Sequence, residues 1–522
     1  MMTKMQRKRL AEAEALLREG RIQQALRDLL ALREETRGAR QGWQVLEVLA
    51  EAYKLIGDAE GAASALFQAA QEDEYLRSQR EHYSGYLFAL HYLDGVSAED
   101  LAQAHKVYAG LYRDEIALPP RGAVSHERLR VGFLAPAFCV NAVMRFAEPL
   151  LLGLSREHFE VWAYALSEAQ DEFSRKLARE VHYVSLAGLA VDEAAERIRS
   201  DEIDILLDLG GHSAGGCTLF IMAQRPAPVQ LAGIGYFDTW GLPPGCVDGL
   251  LADSTLVQAG EEGRFMEPLW KLPQALVFQP STAMQELYYR KPPLSASPPP
   301  RGARKRGMPV ASLDRDHRRW WWGATTAIRE HSCLFGVFQN ALKITEKALS
   351  AWQKILQAVP QGKLLIQDTL PLAERAASLE KRIAEAGLPM ERVEVRVAQR
   401  DFLEDYAQMD IILDTFPYPG GYMTATALYL GMPVVTLAGD RYGSRMGASL
   451  LKAVGHAEWV AHSVDEYVQK AVDLAEDKNR LLEIKSELRK GSLSSPLFDV
   501  RAYLQSVERS LLEMARRKGV RS

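Results

Sequence analysis

From Arg128 onward, short apolar runs alternate with helical stretches, and this alternation constrains the fold more than any other feature. The runs are 129–136, 160–167, 204–211, 230–236 and 248–253. The pattern stops near residue 283 and resumes at Leu334 with 334–339, 362–368, 393–397, 410–416 and 433–439. Strands separated by helices close as parallel sheets with helices on both faces. The sequence therefore predicts two doubly wound α/β lobes, 128–283 and 333–518. Two such lobes suggest a cleft between the carboxyl ends of their sheets, where ligands of such folds bind.

Ahead of the lobes, residues 1–115 read as successive helices rich in Ala, Leu, Glu, Gln and Arg. A faint repeat runs through them. Gly20 to Leu26 resembles Gly57 to Ala63 at an offset of 37 residues, close to the tetratricopeptide period. In each copy a glycine breaks one helix, and an alanine five residues later lets the next pack closely. A plain helical bundle is the alternative. Between the lobes, residues 284–332 are dense in proline and arginine and lose all periodicity, which reads as an insert or linker. Its cluster Arg301, Arg304, Lys305 and Arg306 suits either an anionic partner or a solvated loop. Near the C-terminus, Ser494 or Ser495 is expected to cap the last helix, with Pro496 opening it.

Composition narrows the function. The 522 residues carry a net charge of −5, so the global field does not suit a general nucleic-acid binder. Any recognition of phosphate must be local. The four cysteines (Cys139, Cys217, Cys246, Cys333) lack zinc or redox spacing, and free thiols in a reducing compartment are expected. No HExxH and no carboxylate cluster of metal-ligand spacing appears, so no metal is expected. Charges crowd the N-terminal stretch, and no run of 18 apolar residues occurs. A cytoplasmic protein without a signal peptide or membrane span is expected.

Three stretches suit chemistry. In 414–433, the strand 410–416 runs into Pro417, Pro419, Gly420 and Gly421, and a helix follows from about Tyr422. Glycines before a helix start let backbone N–H groups converge on an anion, and the helix dipole helps. Thr424 and Thr426 could add hydroxyl donors. The same residues would also serve a plain strand-to-helix turn. Lys343 lies just past the first strand of the second lobe, where an ammonium could hold charge on a diphosphate leaving group. Gln339 and Asn340 beside it could bind a sugar or a base, although a surface lysine at a helix start reads the same way. His212, in Gly-Gly-His-Ser-Ala-Gly-Gly (210–216), sits in a roomy loop suited to proton transfer or to a purely structural role.

Taken together, these pieces resemble the O-GlcNAc transferases of glycosyltransferase family 41. The resemblance covers about residues 80–518 and rests on the order of 86–92, 129–138, 159–167, 204–216, 224–243, 335–344, 414–421, 431–451 and 494–499. It implies a GT-B fold of two Rossmann-like lobes behind a TPR-like domain. It also implies a UDP-sugar donor, usually UDP-N-acetylglucosamine, and metal-independent, inverting transfer to a serine or threonine of a protein reached over the helical repeats. Lys343 matches the lysine on the UDP diphosphate, and Gln339 matches a nearby donor contact. Gly420, Gly421, Tyr422, Met423 and Thr424 match the loop and helix start that hold the diphosphate, with Thr426 following. His212 matches a loop position of the bacterial members. The chain departs from the pattern in several places. Asn141-Ala142 replace a His-Pro pair, and Phe402 replaces a frequent histidine. Tyr422, Met423 and Thr426 replace a Thr-Thr pair and the acidic residue of the ribose site. An asparagine-directed transferase and a catalytically silent scaffold stay open as alternatives.

Overall fold

A computed structural model describes residues 1–113, 117–118, 126–290, 333–399 and 402–520. Six helices lead: α1 (Lys4–Arg18), α2 (Ile22–Thr36), α3 (Trp43–Ile56), α4 (Ala59–Glu72), α5 (Leu76–Leu90) and α6 (Ala98–Gly110). Consecutive helices from α1 to α6 pack on one another. Gly20 and Gly57 end α1 and α3 in the left-handed region, at φ of +76° and +82°. Ala25 and Ala62 are buried in the helices that follow. The repeated glycine–alanine pattern is thus a repeated helix stop and close packing point.

The first sheet contains β1 (Leu129–Ala135), β2 (Phe159–Ala165), β3 (His182–Ser185), β4 (Ile205–Asp208), β5 (Val229–Ala232), β6 (Gly249–Ala252) and β7 (Leu269–Lys271). Their order is β3-β2-β1-β4-β5-β6-β7, with every pairing parallel. The second contains β8 (Leu334–Phe338), β9 (Lys363–Gln367), β10 (Val393–Arg396), β11 (Ile411–Leu413), β12 (Val434–Leu437) and β13 (Val460–Ala461). It is also parallel, in the order β10-β9-β8-β11-β12-β13. Central strands such as β4 and β5 are buried at every residue, as parallel sheets covered on both faces require. Strand order reverses between β1 and β4 in one sheet and between β8 and β11 in the other. These are the switch points where such sheets open a crevice.

Three expectations need correction. Residues 284–290, read as the start of the insert, belong to a helix, Thr282–Arg290. Met284 and Leu287 anchor it in the core. The rest of that stretch, with its Arg/Lys cluster, lies outside the described residues. The last helix, Val500–Arg517, is capped by Asp499, which accepts from the Ala502 N–H at 3.0 Å. Ser492–Ser494 instead form a 3-10 turn. Nor does that helix pack as part of the second lobe alone. Its Glu508 accepts from the Ser155 N–H at 2.7 Å and its Ser510 from the Trp270 indole at 2.6 Å, so the chain returns to cover the first lobe.

The helical domain touches both lobes. α5 packs on the turn Ser213–Gly216 of the first lobe. Arg375, fully buried in the helix Ala373–Glu385 of the second, donates to the carbonyls of Lys54 and Leu55 at the end of α3. Three units therefore meet around one crevice.

Candidate functional site

At the switch point of the second sheet, β8 delivers Gln339, Asn340 and the turn Ala341–Lys343. β11 delivers Asp414 and the loop that runs to Gly421 and into the helix Tyr422–Tyr429. Asp414 organises this junction. Its Oδ1 accepts from the N–H groups of Thr415 at 3.0 Å and Gly420 at 2.7 Å. Its Oδ2 accepts from the hydroxyls of Thr424 at 3.1 Å and Thr436 at 3.0 Å. Burial pushes the Asp414 carboxyl up to about 6, against the pull of the Gly420 N–H and of Lys343. Gly420 leaves no room for a side chain unless its neighbours shift, because a Cβ there would stand 2.2 Å from Gln339 Nε2 and 2.7 Å from Thr424 Oγ1.

Lys343 reaches across to this loop. Its Nζ donates to the Pro419 carbonyl at 2.9 Å and lies 4.6 Å from the centre of the Tyr418 ring. Burial lowers its pKa from 10.5 to about 8, with Asp414 working in the other direction. The side chain lines a cavity of about 550 Å³ that draws on all three units. The second lobe contributes Gln339, Lys343, Gly421, Tyr422 and Met423. The first contributes Ala142, Val143, Phe146 and Phe237, and the helical domain adds Phe88 and Tyr92. Among the described residues, two lining residues carry formal charge, Lys343 and Asp368, and Asp368 is spent on an ion pair with Arg375. Among those residues, Lys343 is therefore the cation offered to an anionic ligand.

The predicted site residues thus divide. Gln339, Lys343, Gly421, Tyr422 and Met423 share the cavity, and Gly420 sits directly behind its wall. Thr424 and Thr426 do not face it. The hydroxyl of Thr424 is taken by Asp414, and that of Thr426 donates to the Tyr422 carbonyl at 2.8 Å, both buried. His212 lies elsewhere, 1% exposed. Its Nε2 donates to the Trp240 carbonyl at 3.1 Å, which leaves Nδ1 to accept from the Ser84 hydroxyl at 2.7 Å. Burial and the neighbouring His105 hold its pKa well below the ordinary value, so the ring is neutral with no free lone pair. The surroundings are those of a structural imidazole. With His91, His105 and Tyr236 it joins α5 and α6 to the first lobe; Tyr236 OH lies 2.9 Å from both His91 Nε2 and His105 Nε2. Gly216 permits that contact, since a Cβ at its φ of +70° would come within 2.5 Å of Ser84 Oγ.

The departures noted in the sequence also have places. Asn141 caps the helix Ala142–Gly153 through the Met144 N–H at 3.0 Å. Phe402, Tyr422 and Met423 make the cavity more apolar. Sequence reasoning did not single out Asp414, Tyr418 or Gln367. Asp414 is signalled by its position at the end of an apolar strand, followed by a Pro/Gly loop. No group of three His, Cys, Asp or Glu residues suited to a metal occurs among the described residues. No helix among them is long and apolar enough to cross a membrane.

The description of glycosyl transferase family 41 matches residues 91–287 and 324–507, which include both strand systems and the crevice between them. The chain belongs to glycosyltransferase family 41. Among curated relatives of this family-41 chain, the probable UDP-N-acetylglucosamine–peptide N-acetylglucosaminyltransferase SPINDLY of Oryza sativa is 31% identical over 449 residues. That alignment takes in 83% of this chain and 44% of the rice protein. The similarly named protein of Petunia hybrida is 29% identical over 450 residues, again 83% of this chain and 44% of the relative. The chain thus spans less than half the length of these relatives. Among solved structures, an O-GlcNAc transferase mutant of Thermobaculum terrenum superposes with a TM-score of 0.73 at 24% identity, covering 99% of each chain. That likeness shows the fold: two facing Rossmann-like lobes of the GT-B kind behind a helical N-terminal domain.

Proposed function

We infer that this chain transfers a sugar, N-acetylglucosamine, from a UDP-sugar to a serine or threonine hydroxyl of a protein, with inversion and without a metal. The observation that carries the reading is Lys343. Its ammonium is partly stripped of water at a sheet switch point, beside a glycine loop and a helix start. The donor diphosphate fits between the Lys343 ammonium and the first-turn N–H groups after Gly421, which a helix leaves unbonded. The acceptor oxygen attacks the anomeric carbon as the bond from that carbon to the diphosphate oxygen breaks. UDP leaves with the electron pair, its charge held by Lys343. His212 has no lone pair for the acceptor proton, and Asp368 is engaged with Arg375. With these two described residues engaged, a phosphate oxygen of the donor takes the proton in this reading.

A second cavity of about 480 Å³ supports the acceptor route. It lies between α3, α4, α5 and the turn after His212, and it shares Phe88 and Tyr92 with the first. A polypeptide held against the helical domain would reach the donor past these two rings. None of the four cysteines forms a disulfide, which suits a reducing, cytoplasmic setting.

The test is incubation of the purified chain with UDP-N-acetylglucosamine and a cell-derived peptide pool. A hexosamine mass gain on serine or threonine, lost in Lys343→Met, is the expected result. Gain on asparagine would move the reading to the N-linked alternative. The inward turn of Thr424 and Thr426 favours a second reading, a silent scaffold with too few donor contacts. Calorimetry separates the two, because a scaffold of this kind would show no UDP binding at millimolar concentration.

A further inference from the structure

Gln367 ends β9, beside Gln339 at the end of β8, whose N–H donates to the Gln367 carbonyl at 3.1 Å. Its side chain forms part of the wall of the large cavity and is 3% exposed. Its Oε1 is enclosed and has no hydrogen-bond donor. Two polar neighbours on that wall, Asp368 and Asn340, are matched from within the chain. Asp368 accepts from the N–H groups of Ala341 at 3.2 Å and Thr369 at 2.7 Å and pairs with Arg375. Asn340 Oδ1 accepts from the Leu342 N–H at 3.0 Å and from Arg375. A buried amide oxygen without a donor is unfavourable, and an apolar residue after Leu364-Leu365-Ile366 would avoid the cost. The position therefore asks for a partner that the chain does not supply.

Its place in the sheet says which partner. The glycine loop leaves β11, Lys343 follows β8, and Gln367 ends β9, on the far side of β8 from β11. Neighbouring strands are about 4.8 Å apart, which puts Gln367 roughly 10 Å from the strand that feeds the glycine loop. That is the reach of a ribose and base attached to a diphosphate. Ala398 and Gln399, which follow β10, and the ring of Phe402 line the same cavity. We propose that Gln367 reads the base of the nucleotide donor. Its Oε1 accepts the ring N–H of an imide edge, and its Nε2 donates to the adjacent ring carbonyl. The terminal torsion of a glutamine is soft, so the carboxamide turns to meet the base at little cost. The proposal rests on the sugar-nucleotide reading of this cavity and assigns one residue within it.

Calorimetry with the full chain tests it, using UDP, N3-methyl-UDP (in which the ring N–H is blocked) and inorganic pyrophosphate. Gln367→Leu should weaken UDP roughly 10- to 100-fold while leaving pyrophosphate unchanged. Wild type should discriminate against N3-methyl-UDP by a similar factor, and Gln367→Leu should lose that discrimination. In turnover the variant should raise KM with kcat nearly unchanged, because the base contact is the same in ground and transition states. The Tm of the unliganded variant should not fall; if it does, Gln367→Met replaces it in the same series. UDP affinity equal to wild type, or equal losses for UDP and pyrophosphate, would overturn the assignment and leave the donor reading intact. If wild type binds neither UDP nor GDP, which presents the same N–H beside a carbonyl, the donor reading falls and this one with it.

Discussion

Lys343→Met separates the cost of a group to the empty protein from its value to a ligand. The methionine keeps the length of the stem and its packing on Tyr418 but removes the charge. In the empty cleft that charge is disfavoured. A fall in pKa from 10.5 to about 8 corresponds to about 3 kcal/mol between the two protonation states. The 2.9 Å bond to the Pro419 carbonyl and the attraction of Asp414 are already included in that balance. Removing the ammonium should therefore stabilise the unliganded protein, by at most about 3 kcal/mol. The sign can be checked by pH. Between about 8 and 10.5 the unfolded chain binds a proton that the native Lys343 does not, so wild-type stability rises with pH across that window. In Lys343→Met this rise should shrink. Catalysis should move the opposite way, because loss of one preorganised charge on a leaving group costs about 100- to 1,000-fold in kcat. A diphosphate in the cleft should also pull the Lys343 pKa back up. UDP binding at pH 8.5 should then take up a fraction of a proton in wild type and none in the variant, read from calorimetry in two buffers of different ionisation enthalpy. Unchanged turnover in Lys343→Met, or lower stability together with unchanged proton uptake, would refute the reasoning.

Other substitutions probe the supports of the site. Gly420→Ala should drive Gln339 or Thr424 from its place, since the new Cβ meets both below 3 Å. A Tm drop and a roughly tenfold or greater loss of UDP affinity are expected, consistent with the 1–3 kcal/mol typical of overpacking. Asp414→Ala leaves two N–H groups and two hydroxyls without their acceptor, and urea unfolding should show a loss of roughly 3 kcal/mol or more. His212→Ala should act on stability rather than on proton transfer. Its Tm should fall, while any surviving activity keeps the wild-type pH profile between 6 and 8. The imidazoles of His91, His105 and His212 are all held below their ordinary pKa by burial, so stability should fall as pH drops below about 6.5. Asp208 and Asp238, each pushed up to about 7 by burial, run the other way. The check is therefore a difference: the Tm of His105→Gln relative to wild type should rise as pH falls from 7 to 5.

The sequence revealed the central strands, where burial is most complete, together with one half-buried edge strand, β10. β1, β4, β8 and β9 are nearly continuous apolar runs because helices cover both of their faces. The three strands that went unread, β3, β7 and β13, all lie at sheet edges. His182-Tyr183-Val184-Ser185 buries only Val184, and β13 is two residues long. The helix at Tyr422 shows the corresponding limit for the site. Thr424 to Tyr429 are all buried, so the apolar pattern has no phase from which to tell which threonine faces the cleft. Asp414 settles that phase, through hydrogen bonds that span six to 22 residues. For a related reason the sequence leaves His212 open between proton transfer and a structural role: its partners Ser84 and Trp240 lie 128 and 28 residues away.

A common physical thread distinguishes the residues that hold the fold from those turned toward a ligand. His212 and Asp414 are buried, yet every polar atom they offer is matched from within the chain. Lys343 and Gln367 are not matched in this way. One is a cation whose burial lowers its proton affinity, and the other has an amide oxygen with no donor. Burial of the Lys343 charge and of the unmatched Gln367 oxygen should each cost the empty protein stability, and both side chains line one cavity, at the carboxyl ends of adjacent strands. Chains depart from local self-consistency mainly where function requires it. The two departures also ask for complementary things: negative charge at Lys343, and a hydrogen-bonding ring edge one strand away at Gln367. A nucleoside diphosphate supplies both in one molecule, whereas an inorganic anion or an apolar ligand supplies at most one.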